Sequence, residues 1–405
     1  MHASKVAAER NRTYKLGKIC FLTSIPGHLK SCPRIFYNEA MSLDKHGFEV
    51  IFIAPYGHPR TLEGNITIVG VPILSSRPRR MLNTWRILIK ALQEKADIYH
   101  FHDPELIPCA IFLRLISRKP VIYDVHEHNP DALRLKEYIN SRIRNFFAKL
   151  FDWFELNTAP FFNAIITADD AVAGRFQGSN NRIVILYNFP KKGFGETDGA
   201  LTNSRAYPVQ LIYVGSMCPE RGQWLMLDVV RILVDQNNLD VGLWIIGSFD
   251  SEEKRREFIE TVETDELLQG RVISPGFIPQ SQLGAWLSSA DIGLVPLQPV
   301  DKFYKNIPTK MFEYMAASLP IVGSDLPPIS RFLLAANAGF VADPDDPQSH
   351  AEKILSLVEN PEMAKEMGQN GRHAFQTRYN WTSEENKLVS LYRELLNLDQ
   401  PTDNS

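Results

Sequence analysis

The chain has 405 residues, 44% apolar and 22% charged, with 44 Lys and Arg against 47 Asp and Glu. Domains of about 100–200 residues make two cores the expectation, and the balance excludes a disordered or fibrous chain. A formal charge of −3 excludes a bulk polyanion binder, so any anion site has to be local and no nucleic-acid partner is expected.

KICFLTS (18–24) reads as a strand, and PRIFYNEAMSLDKHG (33–47) as a helix that opens at proline and closes near glycine. EVIFIAP (49–55), NITIVG (65–70), DIYHFH (97–102) and PVIYDVHE (120–127) supply further strands, with helices over 81–95 and 105–116. NAIITAD (163–169) and RIVILYN (182–188) continue the series. FPKKGFGETDGALTNSRAY (189–207) carries no period and is rich in turn formers, which marks it as the linker. A second series follows, with strands at 210–216, 241–248, 271–276, 291–297, 320–325 and 339–343. Its helices fall at 221–235, 251–268, 281–288, 309–317, 347–358 and 361–376.

Apolar strands alternating with helices imply parallel sheets covered on both faces. The expected fold class is therefore α/β, with two Rossmann-like doubly wound domains over 1–195 and 208–379. One more amphipathic helix, within 380–405, exceeds the need of the second sheet and could pack back on the first domain. Such folds bind ligands at the C-terminal ends of their strands, so polar residues there are the candidates.

The apolar runs, such as Ile107–Leu113, are too short to cross a bilayer as a helix. MHASKVAAERNRTYKLGK at the start lacks the apolar stretch of a secretory signal. Cys20, Cys32, Cys109 and Cys218 lack CxxC spacing, so neither a disulfide framework nor a zinc knuckle is expected. The expected address is a reducing cytoplasm, with peripheral contact at the cytoplasmic face of a membrane left open.

The loop after the first strand has Gly27 and His28 but no GxGxxG, which counts against a dinucleotide-dependent dehydrogenase. His100, His102 and Asp103 end one strand, and Asp124, His126, Glu127 and His128 end the next. Alternate strand residues share a face, which pairs His100 with His102 and Asp124 with His126. HxH and DxH are too loose to specify a metal. The favoured reading is a histidine that hydrogen-bonds a polar substrate while a carboxylate fixes its tautomer: His126 first, His102 with Asp103 second.

Arg134–Asn157 mixes basic residues with Phe146, Phe147, Phe151, Trp153 and Phe154. Burial of that aromatic face against the domain is favoured over contact with an anionic membrane, and RPRR (77–80) could add to the same positive face. In the second series, GSMCPERGQW places Arg221 in an opening helical turn, a plausible phosphate site. KNIPTKMFEYMAASLPIVGSD (305–325) places Thr309, Lys310 and Glu313 at a helix start. Lys310 and Glu313 are either a surface salt bridge or a phosphate ligand beside a ribose ligand, with Asn306 and Thr309 adding hydrogen bonds.

With these residues in place, the chain resembles the family 4, or group 1, retaining glycosyltransferases of GT-B fold. The resemblance is carried by PRIFYNEAMSLDKHGFEV, HFHDPELIP, VIYDVHE, YVGSMCPERG and above all NIPTKMFEYMAASLPIV. It implies a nucleotide-sugar donor on the C-terminal domain, an acceptor on the N-terminal domain, and a closing helix that returns to the first domain. Arg221 and Lys310 would contact the donor diphosphate, Glu313 the ribose, and His126 the transferred sugar; Gly27 would lie near the donor phosphate. Gly215, Ser216, Asn306 and Thr309 complete the implied donor site, and His28, Arg34, His102 and Asp103 are the acceptor-side candidates.

Two departures stand out. Lys305 stands where the family has the first glutamate of its pair, giving a KNxPTKxFEY variant, and Ser216 stands with Arg221 where an arginine and a lysine are common. No cofactor and no metal are expected, the acceptor being a glycan, lipid-linked or polysaccharide. A sugar-nucleotide 2-epimerase of the same architecture, or an inactive sugar-nucleotide-binding partner protein, are the alternatives.

Overall fold

The computed structural model describes residues 16–25, 34–74, 77–134, 140–194 and 206–398. They form two compact units, Met1–Asn188 with Ser383–Ser405, and Phe189–Thr382. Each is built on one sheet flanked by helices, the doubly wound α/β architecture expected.

The first sheet contains β1 (Lys18–Leu22), β2 (Glu49–Pro55), β3 (Arg60–Glu63), β4 (Ile66–Val71), β5 (Ile98–Phe101), β6 (Val121–Val125), β7 (Ala164–Thr167) and β8 (Ile183–Ile185). Their order is β3-β4-β2-β1-β5-β6-β7-β8, parallel except at the β3 edge. Central strands such as Ile19–Phe21 and Ile51–Ile53 are fully buried because helices cover both faces, which explains their unbroken apolar character. β1 pairs with β2 on one side and β5 on the other, so the chain reverses its winding between β1 and β5. The crevice beyond those strand ends is where such a sheet takes ligands.

The second sheet contains β9 (Val209–Val214), β10 (Val241–Ile246), β11 (Val272–Gly276), β12 (Ile292–Val295), β13 (Ile321–Ser324) and β14 (Gly339–Ala342). Its order β11-β10-β9-β12-β13-β14 puts the reversal between β9 and β12. Tyr314, on the helix Lys310–Ala316, pins that point. Its hydroxyl accepts the Val214 N–H at 2.8 Å and donates to the Leu294 carbonyl at 3.2 Å.

Several elements differ from the sequence reading. The first helix is wound as a π-helix over Arg34–Ala40 and becomes α-helical only at Met41–Lys45. β3 was not anticipated, because RTLE is polar and lies at an exposed edge. The helix Pro327–Ala336 was also missed. Its paired prolines occupy the first turn, where a missing N–H costs nothing. Ile329, Phe332 and Leu333 then bury its inner face.

The units change over at Asn188–Phe189, at the head of the segment read as a linker. Phe189 already packs in the second unit, 4.6 Å from the Phe312 ring and 5.6 Å from that of Tyr379. The helix Trp381–Leu395 falls within the first unit from Ser383 onward. There Glu385 pairs with Lys45 at 2.8 Å, Glu384 accepts the Tyr187 N–H at 3.0 Å, and the Tyr392 hydroxyl lies 2.6 Å from His100 Nδ1.

The basic aromatic segment 134–157 is not one element. Residues 135–139 lie outside those described, and the helices Asn129–Arg134 and Ser141–Thr158 flank them. Phe151 and Phe154 pack on the core, whereas Phe146, Phe147 and Trp153 are exposed. Burial against the domain, the favoured reading, therefore accounts for only part of this face.

Candidate functional site

In the second unit the candidates gather at the reversal between β9 and β12. Gly215 follows β9 with φ +140°, and a Cβ there would lie 3.0 Å from Lys310 Nζ. Glycine is needed on both counts, for the backbone and for the approach of the lysine. Gly222, φ +79°, ends the short 3-10 turn Pro219–Arg221 and starts the helix Gln223–Asp235. A Cβ at this position would lie 2.1 Å from the Pro296 carbonyl, so the turn carrying Arg221 is pressed against the end of β12.

Lys310 is not a surface residue. Its side chain is buried, and Nζ sits 3.5 Å from the centroid of the Tyr213 ring. Among the described residues Nζ has no hydrogen-bond partner. Burial, reinforced by the Arg221 charge and only partly opposed by Glu313, holds its ammonium well below the usual lysine range. Burial likewise pushes the Glu313 carboxyl up to about 7, with Lys310 pulling the other way. The surface salt bridge considered for this pair is absent, because Lys310 turns inward beneath Gly215. Asn306 and Thr309 are exposed, Ser216 and Arg221 half-buried. A buried lysine amine beside a guanidinium and a glycine loop has the groups that an anion would satisfy.

In the first unit a buried network stands behind His126. The Asp124 Oδ2 atom lies 2.7 Å from His126 Nε2, 3.1 Å from His102 Nδ1 and 3.6 Å from His100 Nε2. Asp124 Oδ1 meets Arg34 Nη2 at 3.2 Å, while Arg34 Nε lies 2.8 Å from Glu39. Arg34 Nη1 donates to the Leu186 carbonyl at 2.6 Å and to Asn188 Oδ1 at 2.9 Å. Burial would raise the Asp124 carboxyl, but Arg34 and the histidines outweigh it and hold it well below the carboxylate range. Burial and the Asp124 charge push Glu39 well above its ordinary value, against the pull of Arg34. One carboxylate is thus ionised and its neighbour protonated. His100 and His102 are held neutral chiefly by burial.

Glu39, His100, His102 and Asp124 bring ligand-type atoms within 4.8 Å of one another, so this group has the donors to hold a cation. Arg34 already supplies a positive charge there, and Asp124 is ionised to match it. Of the acceptor-side candidates, Arg34 and His102 are spent inside this network, behind His126 instead of beside a substrate. Asp103 is buried and accepts from the Thr23 hydroxyl at 2.7 Å and the Ser24 N–H at 2.6 Å, which fixes the turn after β1. Gly27 and His28 lie outside the described residues. His126 keeps a half-buried ring and is the member of the network best placed to reach a ligand. Sequence reasoning missed Glu39, Tyr213 and Tyr314; each sits in an apolar pattern that reads as core, and only folding brings it to the site.

Comparison with known proteins agrees with both halves. Residues 33–189 match the family model Glycosyltransferase Family 4, and residues 202–374 match Glycosyl transferases group 1. An uncharacterized glycosyltransferase of Methanocaldococcus jannaschii is 22% identical over 337 residues, 82% of this chain and 86% of that protein. Among solved structures, a sucrose-phosphate synthase of Thermosynechococcus elongatus has a TM-score of 0.73 at 15% identity, covering 94% of this chain and all of the other. An Anabaena protein, HepE, solved with UDP-glucose, has a TM-score of 0.66 at 14% identity and covers 93% of this chain and all of its own.

Proposed function

For a chain that belongs to the family 4, group 1 glycosyltransferases and has a GT-B-like fold, we propose a retaining transfer of a hexose-type sugar from a UDP- or GDP-linked donor. The acceptor is a hydroxyl of a glycan, lipid-linked or polysaccharide. The observation that carries this reading is Lys310: a buried amine with no hydrogen-bond partner among the described residues, under a glycine loop and near Arg221. The bound UDP-glucose of the Anabaena relative supports a nucleoside diphosphate sugar as the ligand of this fold.

In this reading Arg221 and Lys310 stabilise the departing diphosphate without a metal. Glu313 accepts the ribose hydroxyls, and Gly215 and Ser216 let backbone approach the phosphates, with Asn306 and Thr309 beside them. The bond from the anomeric carbon to the phosphate oxygen breaks, and the acceptor oxygen bonds that carbon from the same face. The acceptor proton leaves with the diphosphate. His126, its Nε2 tied to Asp124, orients the sugar. The protein works at the cytoplasmic face of a membrane, with 134–157 in contact with anionic lipid.

A binding panel of intact UDP-, GDP-, ADP- and dTDP-sugars, followed by product analysis with the best donor, tests the assignment. A transferred sugar of unchanged anomeric configuration supports it. Hydrolysis alone, an epimerised donor or binding without turnover overturns it.

The acidic limb of donor binding has a definite sign. Glu313 accepts two ribose hydroxyls most strongly when both its oxygens are ionised acceptors, and its carboxyl sits at about 7. UDP affinity should therefore rise with pH up to about 7, by at most ~10-fold per unit, and level off above. Lys310 acts in the opposite sense, its depressed ammonium giving up its proton more readily than an ordinary lysine as pH rises. Calorimetric titration of Glu313→Gln with UDP should show weaker binding and a flat acidic limb; an unchanged limb removes Glu313 from the ribose.

A further inference from the structure

We infer that the helices Arg77–Glu94 and Ile107–Ser117 form a docking face for an anionic lipid bilayer. This goes beyond the contact assigned above to 134–157 and does not depend on the donor assignment. Both helices bury their inner sides in one apolar layer against the first sheet, through Ile87, Leu88 and Ala91, and through Ile107, Ala110 and Leu113. Their outer sides are apolar as well. Met81, Trp85 and Ile89 recur every four residues along the first helix, and Phe112, Leu115 and Ile116 line the second. All six are between 47% and 64% exposed. The Trp85 and Phe112 rings lie 5.7 Å apart, so the two stripes join into one patch. A soluble helix normally turns charge outward here, and a joined patch of this kind marks an interaction surface.

The charge around the patch selects its partner. Arg86, Lys90, Arg114 and Arg118 stand on the same two helix segments, next in sequence to its apolar residues or at its end, and no Asp or Glu occurs in 81–93 or 107–120. Among the described residues none of those four pairs with a carboxylate, while nearby Lys119 is paired with Asp97. This local excess stands on a chain whose formal charge is −3. A second copy docked by two-fold symmetry would set the basic patch against itself, which costs free energy. An anionic bilayer takes both parts at once: the phosphates meet the basic side chains, and Trp85 and Phe112 enter the interfacial layer. The helix Ser141–Thr158 packs on the same apolar layer through Phe151 and Phe154 and also leaves rings outward.

The experiment is co-sedimentation of the full chain with vesicles of phosphatidylglycerol and phosphatidylcholine, against vesicles of phosphatidylcholine alone. The wild type should bind the anionic vesicles, release in high salt, and show a blue shift of tryptophan emission that Trp85→Phe diminishes. Trp85→Ser with Phe112→Ser, and separately Arg86→Glu with Arg114→Glu, should each weaken partitioning by at least about tenfold. Unchanged thermal unfolding of these variants shows that the fold is intact, and vesicle binding is read without any donor, which keeps this test separate from that of the transfer reaction. No wild-type binding, or binding lost only with Phe146→Ser and Trp153→Ser, overturns the proposal. So does a dimer in sedimentation velocity that Trp85→Ser dissolves while vesicle binding persists.

Discussion

Lys310→Met is expected to lose UDP binding by about 10- to 100-fold and, at the same time, to raise the unfolding free energy. The two effects share one cause. The Lys310 Nζ atom is buried over the Tyr213 ring with no hydrogen-bond partner among the described residues, so the fold carries the desolvation cost of an amine it does not satisfy. Methionine fills the same channel and removes that cost, about 1–3 kcal/mol for one unsatisfied buried group. A diphosphate would satisfy the amine and restore its proton, which is why the loss appears in binding. Lys310→Arg should not rescue, because the guanidinium is larger and Gly215 stands where a Cβ would be only 3.0 Å from Nζ. Isothermal titration with UDP and denaturant unfolding of the free protein measure the two halves. Unchanged affinity ends the diphosphate assignment; a destabilised Lys310→Met protein ends the account of the buried amine.

The second expectation is an asymmetry between two neighbouring carboxyl groups. Asp124→Asn should cost about 3–5 kcal/mol, since it takes the ionised partner from the buried Arg34. Glu39→Gln should cost under about 1 kcal/mol, because Glu39 is held protonated and an amide keeps its shape. The sign with pH follows. Asp124 is depressed, so its contribution is present above the ordinary aspartate value and is lost as pH falls toward its lower folded value. Glu39 is raised, so the cost of keeping its proton grows as pH rises above the ordinary glutamate value. Unfolding curves of both variants across acid to neutral pH check this, and equal penalties would show that the proton has been placed on the wrong group. His126→Ala is the control for chemistry: UDP affinity should stay near wild type while transfer falls, with some stability lost because its Nε2 lies 2.7 Å from the buried Asp124.

Much of this fold could be read before folding was considered. Parallel strands buried on both faces are continuous apolar runs, and the polar residues that end them, His102, Asp124, His126 and Ser216, stand out by contrast. Lys310 and Glu313 were legible for the same reason, being polar beside Met311, Phe312 and Tyr314. Their burial was not legible, since spacing on a helix fits a solvated pair equally well. Arg34 shows the other limit. The resemblance implies an acceptor role for this basic residue at a helix start, but two of its partners, Asp124 and the Leu186 carbonyl, are far away in sequence. Paired prolines hid the helix at Pro327 because their meaning depends on whether they fall inside a helix or at its first turn.

The π-helical winding at Arg34–Ala40 sets a phase that ordinary helix geometry would not. In an α-helix two residues five apart point about 140° away from each other. With hydrogen bonds from i to i+5 they come nearly into line, and Arg34 and Glu39 are five apart and both buried against Asp124. The arginine and the protonated carboxyl can share one pocket only because the backbone is underwound there. Substitutions that favour regular helix at the outward-facing Tyr37 and Asn38 would therefore act at a distance: by tightening the turn they rotate one of the two side chains out of register with the histidines. The segment is tuned for angle, at the expense of helical propensity.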